Sequence, residues 1–160
     1  DYMAWAGAYY RDICPYPWVE QLQPGDLVVI DQSRVNAGLM GSENTLACIR
    51  RGAVGLISNG GVRDTDEVIT QRVPFWSAFR SQSMVQARLQ FDALDTPVAV
   101  AGVQVRPGDV VVADGDGVIV VPRKLAYDVA QYAHQELSND KVGRRKIYEA
   151  LGRELDETVQ

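Results

Sequence analysis

The sequence predicts an α/β fold, and two features of its pattern lead to that prediction. Short apolar runs alternate with a segment of helical spacing, in the order Asp26–Asp31, Ser42–Arg51 and Ala53–Ser58. The links between the helical segment and the second run are short and carry glycine, which is typical of β–α–β units. The last part of the chain, 123–160, has helical spacing. We therefore expect an α/β domain over residues 1–122 and a helical extension over 123–160.

The composition excludes several classes of function. The 160 residues carry a formal net charge of -5, which argues against a nucleic-acid partner because such surfaces are basic. No apolar run approaches the roughly 20 residues that span a bilayer, so we expect no membrane partner. The lone histidine, His134, leaves no basis for a Ser-His-Asp triad or a histidine-based metal site. Cys14 and Cys48 lack metal-ligand spacing, and we expect them to be reduced in a cytoplasmic protein.

The first elements along the chain are a helix, a helical turn and a strand. Asp1–Ile13 has helical spacing and is predicted to end where Pro15 and Pro17 interrupt the backbone hydrogen bonds. Trp18–Leu22 fits one or two helical turns. The Pro-Gly pair that follows is a turn signal, and Asp26–Asp31 is predicted to be a short buried strand.

A polar loop is expected over Gln32–Met40, which is a common place for functional residues. Ser42 is suited to cap the next helix, and Glu43 falls in its first turn, where the helix dipole favours an acid. We expect that helix to reach Arg51, with Gly52 ending it. The buried strand Ala53–Ser58 follows.

The stretch Gly60-Gly61-Val62-Arg63-Asp64 allows two interpretations. Two glycines and a charged pair directly after a strand indicate a turn at the ligand-binding edge of a sheet. Asp64 followed three residues later by Glu67 also fits a helix cap. The spacing alone leaves both interpretations open.

The second half is predicted to contain a short helix and a series of strands. The helix covers Thr65–Gln71 and the edge strand Val73–Trp76, while 77–94 has no clear pattern. Further strands are expected over Pro97–Ala101, Val103–Val105, Val110–Ala113 and Val118–Val121. Asp114–Gly117 fits a hairpin turn far better than a calcium loop, because it lacks the spaced oxygens and the closing Glu.

The extension after Pro122 is predicted to be helical to Gln160, with Asn139-Asp140 separating two helices. Its apolar residues are predicted to form one face over Leu125–Ala133 and another over Ile147–Leu155. Packing against a sister subunit and packing against its own domain are both compatible with that pattern.

The residues around Gly41 and Arg63 suggest a chemistry. The free N–H groups that open the helix at Gly41–Asn44 can bind an anion, and Arg63 adds a guanidinium for a carboxylate. Asp64 can hold a divalent metal, mostly through water, as Mg²⁺ prefers. Metal and arginine together would stabilise an enolate, which suits C–C bond cleavage next to a 2-oxo acid.

Three segments resemble the RraA-like family: Gly52–Asp64 (GAVGLISNGGVRD), Gly102-Val103, and Pro107–Pro122 (PGDVVVADGDGVIVVP). That family includes class II 4-hydroxy-4-methyl-2-oxoglutarate aldolases, oxaloacetate decarboxylases and the regulator of ribonuclease E activity. The resemblance covers Pro24–Pro122. It implies a swivelling β/β/α domain, here with a C-terminal helical tail, assembled as homotrimers or homohexamers with sites at subunit borders. It also implies that part of the N-terminal sheet lies outside this sequence.

The resemblance assigns roles to individual residues. Arg63 matches the arginine that binds the 2-oxo acid and steadies the pyruvate enolate, and Asp64 matches the metal anchor for Mg²⁺ or Mn²⁺. Gly41, Ser42, Glu43 and Asn44 match the segment whose backbone N–H groups hold the pyruvyl carboxylate. Ser42 stands where the active pattern has an acid, so Glu43 is the candidate to replace that acid in catalysis. Asn59 stands where the family commonly has Asp.

Two functions follow from this resemblance. The first is a metal-dependent lyase, acting as an aldolase or an oxaloacetate-type decarboxylase, and the Arg63–Asp64 pair favours it. The second is a non-catalytic, protein-binding regulator of the ribonuclease E type, with which the acidic composition is compatible.

Overall fold

The computed structural model describes all 160 residues, and the chain divides into two compact units. The first unit comprises residues 1–107 and 113–118, and the second comprises 108–112 and 119–160. The α/β prediction is confirmed: helices and strands alternate through the first unit, and a long helix dominates the second. No helix combines the length and the apolar character that crossing a bilayer requires.

The first unit contains three α-helices, one 3₁₀ turn and six strands. They are α1 (Tyr2–Asp12), the 3₁₀ turn (Pro17–Gln21), β1 (Leu27–Ile30), β2 (Gly38–Met40), α2 (Ser42–Arg50), β3 (Gly55–Val62), α3 (Thr65–Thr70), β4 (Phe75–Arg80), β5 (Val98–Val100) and β6 (Val103–Val105). Strands β5 and β6 form an antiparallel pair. The other four strands form one parallel sheet.

Strand β3 is the centre of that parallel sheet. Strand β4 pairs along one of its edges, from Leu56 to Val62. The opposite edge is shared, because β1 pairs with the first half of β3 and β2 with its last residues. All eight β3 residues are buried, as is typical of a central parallel strand covered on both faces. Strand β4 pairs with β3 alone, so the predicted edge strand is confirmed. Its predicted bounds, Val73–Trp76, are wrong, because the strand begins at Phe75 and continues to Arg80.

Three other predicted boundaries around the sheet are also wrong. Strand β3 begins at Gly55 and continues through Gly60-Gly61 to Val62, so these glycines do not form a turn. The predicted loop Gln32–Met40 contains a strand, since Gly38–Met40 pairs with the end of β3. Helix α2 begins at Ser42 itself, and Gly41 occupies the cap position without a side-chain hydrogen bond.

The core of the first unit lies around β3 and α2. Met40 and Leu56 are its largest fully buried apolar side chains. Cys14 and Cys48 are buried and free, as the sequence predicted. Burial raises the pKa of Cys48 to about 11, so this side chain stays a thiol at neutral pH and packs as a small apolar group.

The last part of the chain contains a hairpin, a 3₁₀ turn (Arg123–Leu125) and one α-helix. Strands β7 (Val110–Ala113) and β8 (Val118–Val121) pair, and Asp114 accepts hydrogen bonds from the backbone of the predicted turn. Helix α4 runs unbroken over Ala126–Ala150, so the predicted division at Asn139-Asp140 is wrong. Asn and Asp cost a helix only fractions of a kcal/mol, and no proline interrupts this one.

The predicted helix to Gln160 is also wrong, because α4 ends at Ala150. Gly152 follows with a φ of 64°, a left-handed conformation that commonly ends helices. The remaining residues fold back along α4. Lys141 and Arg144 donate to the backbone carbonyls of Gln160 and Thr158, and Val159 is buried.

Candidate active site

Two chain segments cross over the end of β3, and glycine makes that crossing possible. A Cβ on Gly61 would lie 2.8 Å from the carbonyl oxygen of Ala37 and 2.9 Å from the Cβ of Ser81. The two segments also bond to each other: Ser81 donates to the carbonyl of Asn36, and Gly38 donates to the carbonyl of Ser83. Gly60-Gly61 is therefore required for close approach of the backbone inside a strand.

Arg63 follows β3 directly and lies against two glycines. Its backbone N–H donates to the carbonyl of Met40 at 3.0 Å, which ties the residue to the end of β2. A Cβ on Gly38 would lie 2.7 Å from the Cβ of Arg63, and one on Gly41 would lie 3.1 Å from its Nε. That Nε is buried without a hydrogen-bond partner. Arg63 therefore holds a donor that a ligand can satisfy.

The carboxylate of Asp64 lies at the start of α2. Asp64 occupies the cap position of α3 but makes no side-chain capping bond there, so the helix-cap interpretation is wrong for the carboxylate. Its Oδ2 instead accepts a hydrogen bond from the backbone N–H of Ser42 at 3.1 Å. Asp64 adopts a left-handed backbone conformation with a φ of 54°, which Asp tolerates better than most residues.

The first turn of α2 completes the arrangement. Ser42 donates its N–H to Asp64, while the N–H groups of Glu43 and Asn44 have no acceptor within the helix. Glu43 is exposed and its carboxylate forms no ion pair with Arg63. The structure thus brings together Gly41, Ser42, Arg63 and Asp64. It does not connect the side chains of Glu43 and Asn44 to them, and the role of Glu43 in catalysis stays a prediction.

Substituting Gly41 by alanine is expected to displace the carboxylate of Asp64 from the N–H of Ser42, because the new Cβ would overlap Oδ2 of Asp64. Gly41 has an extended backbone that any residue can adopt, so the effect comes from lost space alone. Amide hydrogen exchange at Ser42, expected to be about tenfold faster in G41A, and thermal unfolding check this. The matched control is G7A in α1, where a Cβ meets nothing within 4 Å. Unchanged exchange at Ser42 in G41A would contradict the placement of Asp64.

Tyr16 supports the site from the side of β2, and sequence analysis did not single it out. Its hydroxyl donates to the carbonyl of Leu39 at 3.0 Å. Burial raises the pKa of Tyr16, and the opposing charge of Arg63 does not reverse that shift. The phenol therefore remains a donor at physiological pH. No sequence signal identified it, because the prolines beside it indicated only where a helix ends.

No group of three or more His, Cys, Asp or Glu side chains comes together in a form that could hold a metal ion. A single carboxylate is nevertheless compatible with Mg²⁺, which keeps several water ligands and takes one or two carboxylates plus substrate oxygens. The backbone N–H of Ser42 fixes Oδ2 of Asp64. Asp64 therefore fits as a metal anchor only where substrate and water supply the other ligands.

Comparison with known proteins gives the family. The family model RraA-like (Aldolase/RraA) matches residues 11–120, more than half of the chain. The chain belongs to the RraA-like family. It is 29% identical over 134 residues to the "Putative 4-hydroxy-4-methyl-2-oxoglutarate aldolase" of Halalkalibacterium halodurans, covering 79% of this chain and 60% of that protein. It is 36% identical over 95 residues to the protein of the same name from Deinococcus radiodurans, with 59% of each chain covered.

Solved structures place the fold in the same family. The crystal structure of Streptomyces coelicolor RraAS2, described as an unusual member of the RNase ES inhibitor RraA protein family, matches with a TM-score of 0.74 and 32% identity, covering 80% of this chain and 66% of that one. The RNA-processing inhibitor RraA of Thermus thermophilis matches with a TM-score of 0.59 and 26% identity, covering 65% and 63%. This confirms the RraA-like fold predicted from sequence. The chain spans about 60% of the length of these aldolase-named relatives.

Proposed function

We propose that this chain is a metal-dependent lyase that cleaves a C–C bond next to a 2-oxo acid through a pyruvate enolate. One observation carries the proposal: the unpartnered, buried Nε of Arg63 and the carboxylate of Asp64 lie beside Gly41 at the start of α2. The names of the aldolase-type relatives support it. The same proposal includes a divalent metal, activity as an oxaloacetate-type decarboxylase, and assembly as a homotrimer or homohexamer.

The residues of this site suit binding of a pyruvyl group. The N–H groups of Glu43 and Asn44, free of intrahelical acceptors, can hold the substrate carboxylate at the positive end of α2. Arg63 can donate to the oxygen on C2, where negative charge develops. Because Gly38 and Gly41 have no side chains, the Arg63 side chain can lie close to the start of α2.

The reaction then requires two proton transfers, one from the C4 hydroxyl and one to C3. The bond between C3 and C4 of a 4-hydroxy-2-oxo acid breaks, and its electrons move to the C2 oxygen next to Arg63. The C4 hydroxyl loses its proton to a base as that carbon becomes a carbonyl, and C3 is protonated to give pyruvate. With oxaloacetate, carbon dioxide is the leaving group. Asp64 would hold Mg²⁺ or Mn²⁺, which supplies Lewis-acid stabilisation of the enolate oxygen.

The experiment is a substrate panel with metal present and absent. The chain is incubated with Mg²⁺ or Mn²⁺ and with oxaloacetate or 4-hydroxy-2-oxo acids, including 4-hydroxy-4-methyl-2-oxoglutarate, while pyruvate is followed. We expect pyruvate to form and a chelator to stop it. Metal without protein is the control, because oxaloacetate loses carbon dioxide unaided. A folded chain that gives no pyruvate from any of these acids refutes the proposal.

A protein-binding regulator is the second candidate. The likeness to a member of the RNase ES inhibitor RraA family and to the RNA-processing inhibitor RraA favours it. The same panel separates the two candidates, since a regulator would inhibit a ribonuclease E-type enzyme without releasing pyruvate. Light scattering of the same sample tests the proposed trimer or hexamer.

A further inference from the structure

A cluster of polar side chains lies where the end of β1 meets the middle of β3. We call it the amide cluster, and it consists of Asp31, Gln32, Ser58 and Asn59. Gln32 and Ser58 are each 3% exposed and Asn59 is 5% exposed, while Asp31 reaches the surface. Buried polar groups that lack partners destabilise a fold, so such clusters persist only when they are satisfied. Every one of these four side chains is hydrogen-bonded.

Gln32 joins two chain segments through three hydrogen bonds. Its Nε2 donates to the carbonyl of Ala37 at 3.0 Å, and its Oε1 accepts from the hydroxyl of Ser58 at 2.6 Å. Its backbone N–H donates to Oδ1 of Asn59 at 2.7 Å. The Ser58 oxygen in turn accepts from the N–H of Gly60 at 3.0 Å. One buried side chain therefore spans from the start of β2 to the middle of β3.

Both segments lead directly into the candidate site. Ala37 precedes Gly38, whose α-carbon lies against Arg63. Gly60 lies on β3, three residues before Arg63 in the chain. A Cβ on Gly60 would lie 2.5 Å from the Gln32 side chain. Gln32 therefore contacts the two segments that carry Gly38 and Arg63, through Ala37 on one side and Gly60 on the other.

The hydrogen-bond partners of residue 59 suit an amide side chain at this position. Nδ2 of Asn59 donates to Oδ1 of Asp31 at 2.7 Å and to the carbonyl of Ala99 at 3.1 Å. Both partners are acceptors, so this position requires a donor. A carboxylate at residue 59 would place a negative oxygen against Asp31 and against a carbonyl at the same time. Asn59 and Asp31 therefore form a matched pair.

We propose that Gln32 and Asn59 are positioning residues of the candidate site, and that Asp31 fixes the orientation of Asn59. They hold the Ala37–Gly41 segment and the Gly60–Arg63 segment at the separation that brings the Arg63 guanidinium and the Asp64 carboxylate to Gly41. The expected effect on turnover rests on the proposed lyase function. The expected effect on the backbone of the site does not.

The experiment uses three variants of the full chain: N59D, D31N and the exchanged pair D31N/N59D. Amide hydrogen exchange is measured by NMR at Ser42, which donates to Asp64, and at Arg63, which donates to Met40. The N–H of Leu56 at the other end of β3, which donates to Pro74, is the reference amide. We expect N59D to accelerate exchange at Ser42 and Arg63 about tenfold more than at Leu56.

The exchanged pair gives the decisive comparison. D31N alone keeps an acceptor for Asn59 and is expected within about threefold of wild type at Ser42 and Arg63. D31N/N59D removes the repulsion from Asp31 but not that from the Ala99 carbonyl, so its exchange is expected to lie between that of N59D and that of wild type. Equal acceleration at Leu56 would mean general destabilisation and would overturn the proposal. So would an exchanged pair that is no better than N59D.

A milder variant covers the case in which N59D does not fold. S58A removes only the hydroxyl that bonds to Gln32 and Gly60. It must then show the same selective acceleration at Ser42 and Arg63, and a uniform or absent change would overturn the proposal. Turnover is measured on the same samples. A wild type without turnover rejects the lyase function and leaves the hydrogen-exchange result as the test of positioning.

Discussion

Asp64→Asn is expected to lower the metal-dependent turnover of a 2-oxo acid by about a thousandfold or more. A metal that polarises a developing enolate contributes several kcal/mol to the barrier, which corresponds to that factor. Asp64 carries the carboxylate that accepts a hydrogen bond from the start of α2, next to Gly41. Loss of its charge would therefore remove the anchor for the ion and leave the rest of the site in place.

Asparagine is the informative substitution because it preserves everything except the charge. Asp64 has a φ of 54°, and Asn tolerates the left-handed region as well as Asp does. An amide oxygen can still accept the hydrogen bond from the N–H of Ser42. The lost attraction between a carboxylate and the start of α2 costs only about 0.3–1 kcal/mol of stability. We therefore expect a nearly unchanged fold with a large loss of activity.

The measurement pairs Mn²⁺ binding, followed by calorimetry or electron paramagnetic resonance, with initial rates at saturating metal. We expect Mn²⁺ affinity and turnover to fall together in D64N. E67Q is the matched control, because Glu67 is exposed in the first turn of α3 and forms no ion pair. E43Q is measured alongside, since Glu43 is predicted to replace the missing acid. Full turnover in D64N would exclude Asp64 as the metal anchor. A large loss in E43Q would instead support the prediction that Glu43 replaces the missing acid.

The sequence was sufficient for the features that depend on local pattern. The alternation of β-branched runs with one amphipathic segment predicted β1, α2 and β3, and the hairpin at Asp114–Gly117 followed from its turn residues. The proximity of Gly41 to Arg63 was also predictable, since both follow parallel strands or open helices at one edge of the sheet.

The features that depend on other parts of the chain were not predictable. Gly60-Gly61 has the composition of a turn, yet it lies inside β3 because Ala37 and Ser81 cross over it. The strand Gly38–Met40 could not be predicted either, because it contains no β-branched residue and is defined by its pairing with the end of β3. Gln32 gave no signal, because a single glutamine after a strand is usually a solvated loop residue.

Arg63→Ala is expected to lower turnover about a hundred- to a thousandfold, chiefly through kcat. The guanidinium would stabilise charge that exists only in the transition state and the enolate, and removing one such donor costs about that factor. Arg63→Lys is expected to recover only part of the rate. Lysine keeps the charge but lacks the planar Nε–H group of arginine. In Arg63 this Nε lies close to Gly41, where a Cβ added to the glycine would be 3.1 Å from it.

The stability of these variants separates a functional role of Arg63 from a structural one. Its Nε is buried without a partner, and Arg63 forms no ion pair. Removing an unsatisfied buried donor is close to neutral, so R63A is expected to unfold within about 1 kcal/mol of wild type. Chemical denaturation with the same samples used for kinetics checks this. A loss of more than about 3 kcal/mol would show that the guanidinium supports the fold. A stable but inactive R63A would indicate that the Nε–H of Arg63 serves ligand binding and contributes nothing to stability. That outcome is expected where a residue is kept for function at the expense of stability.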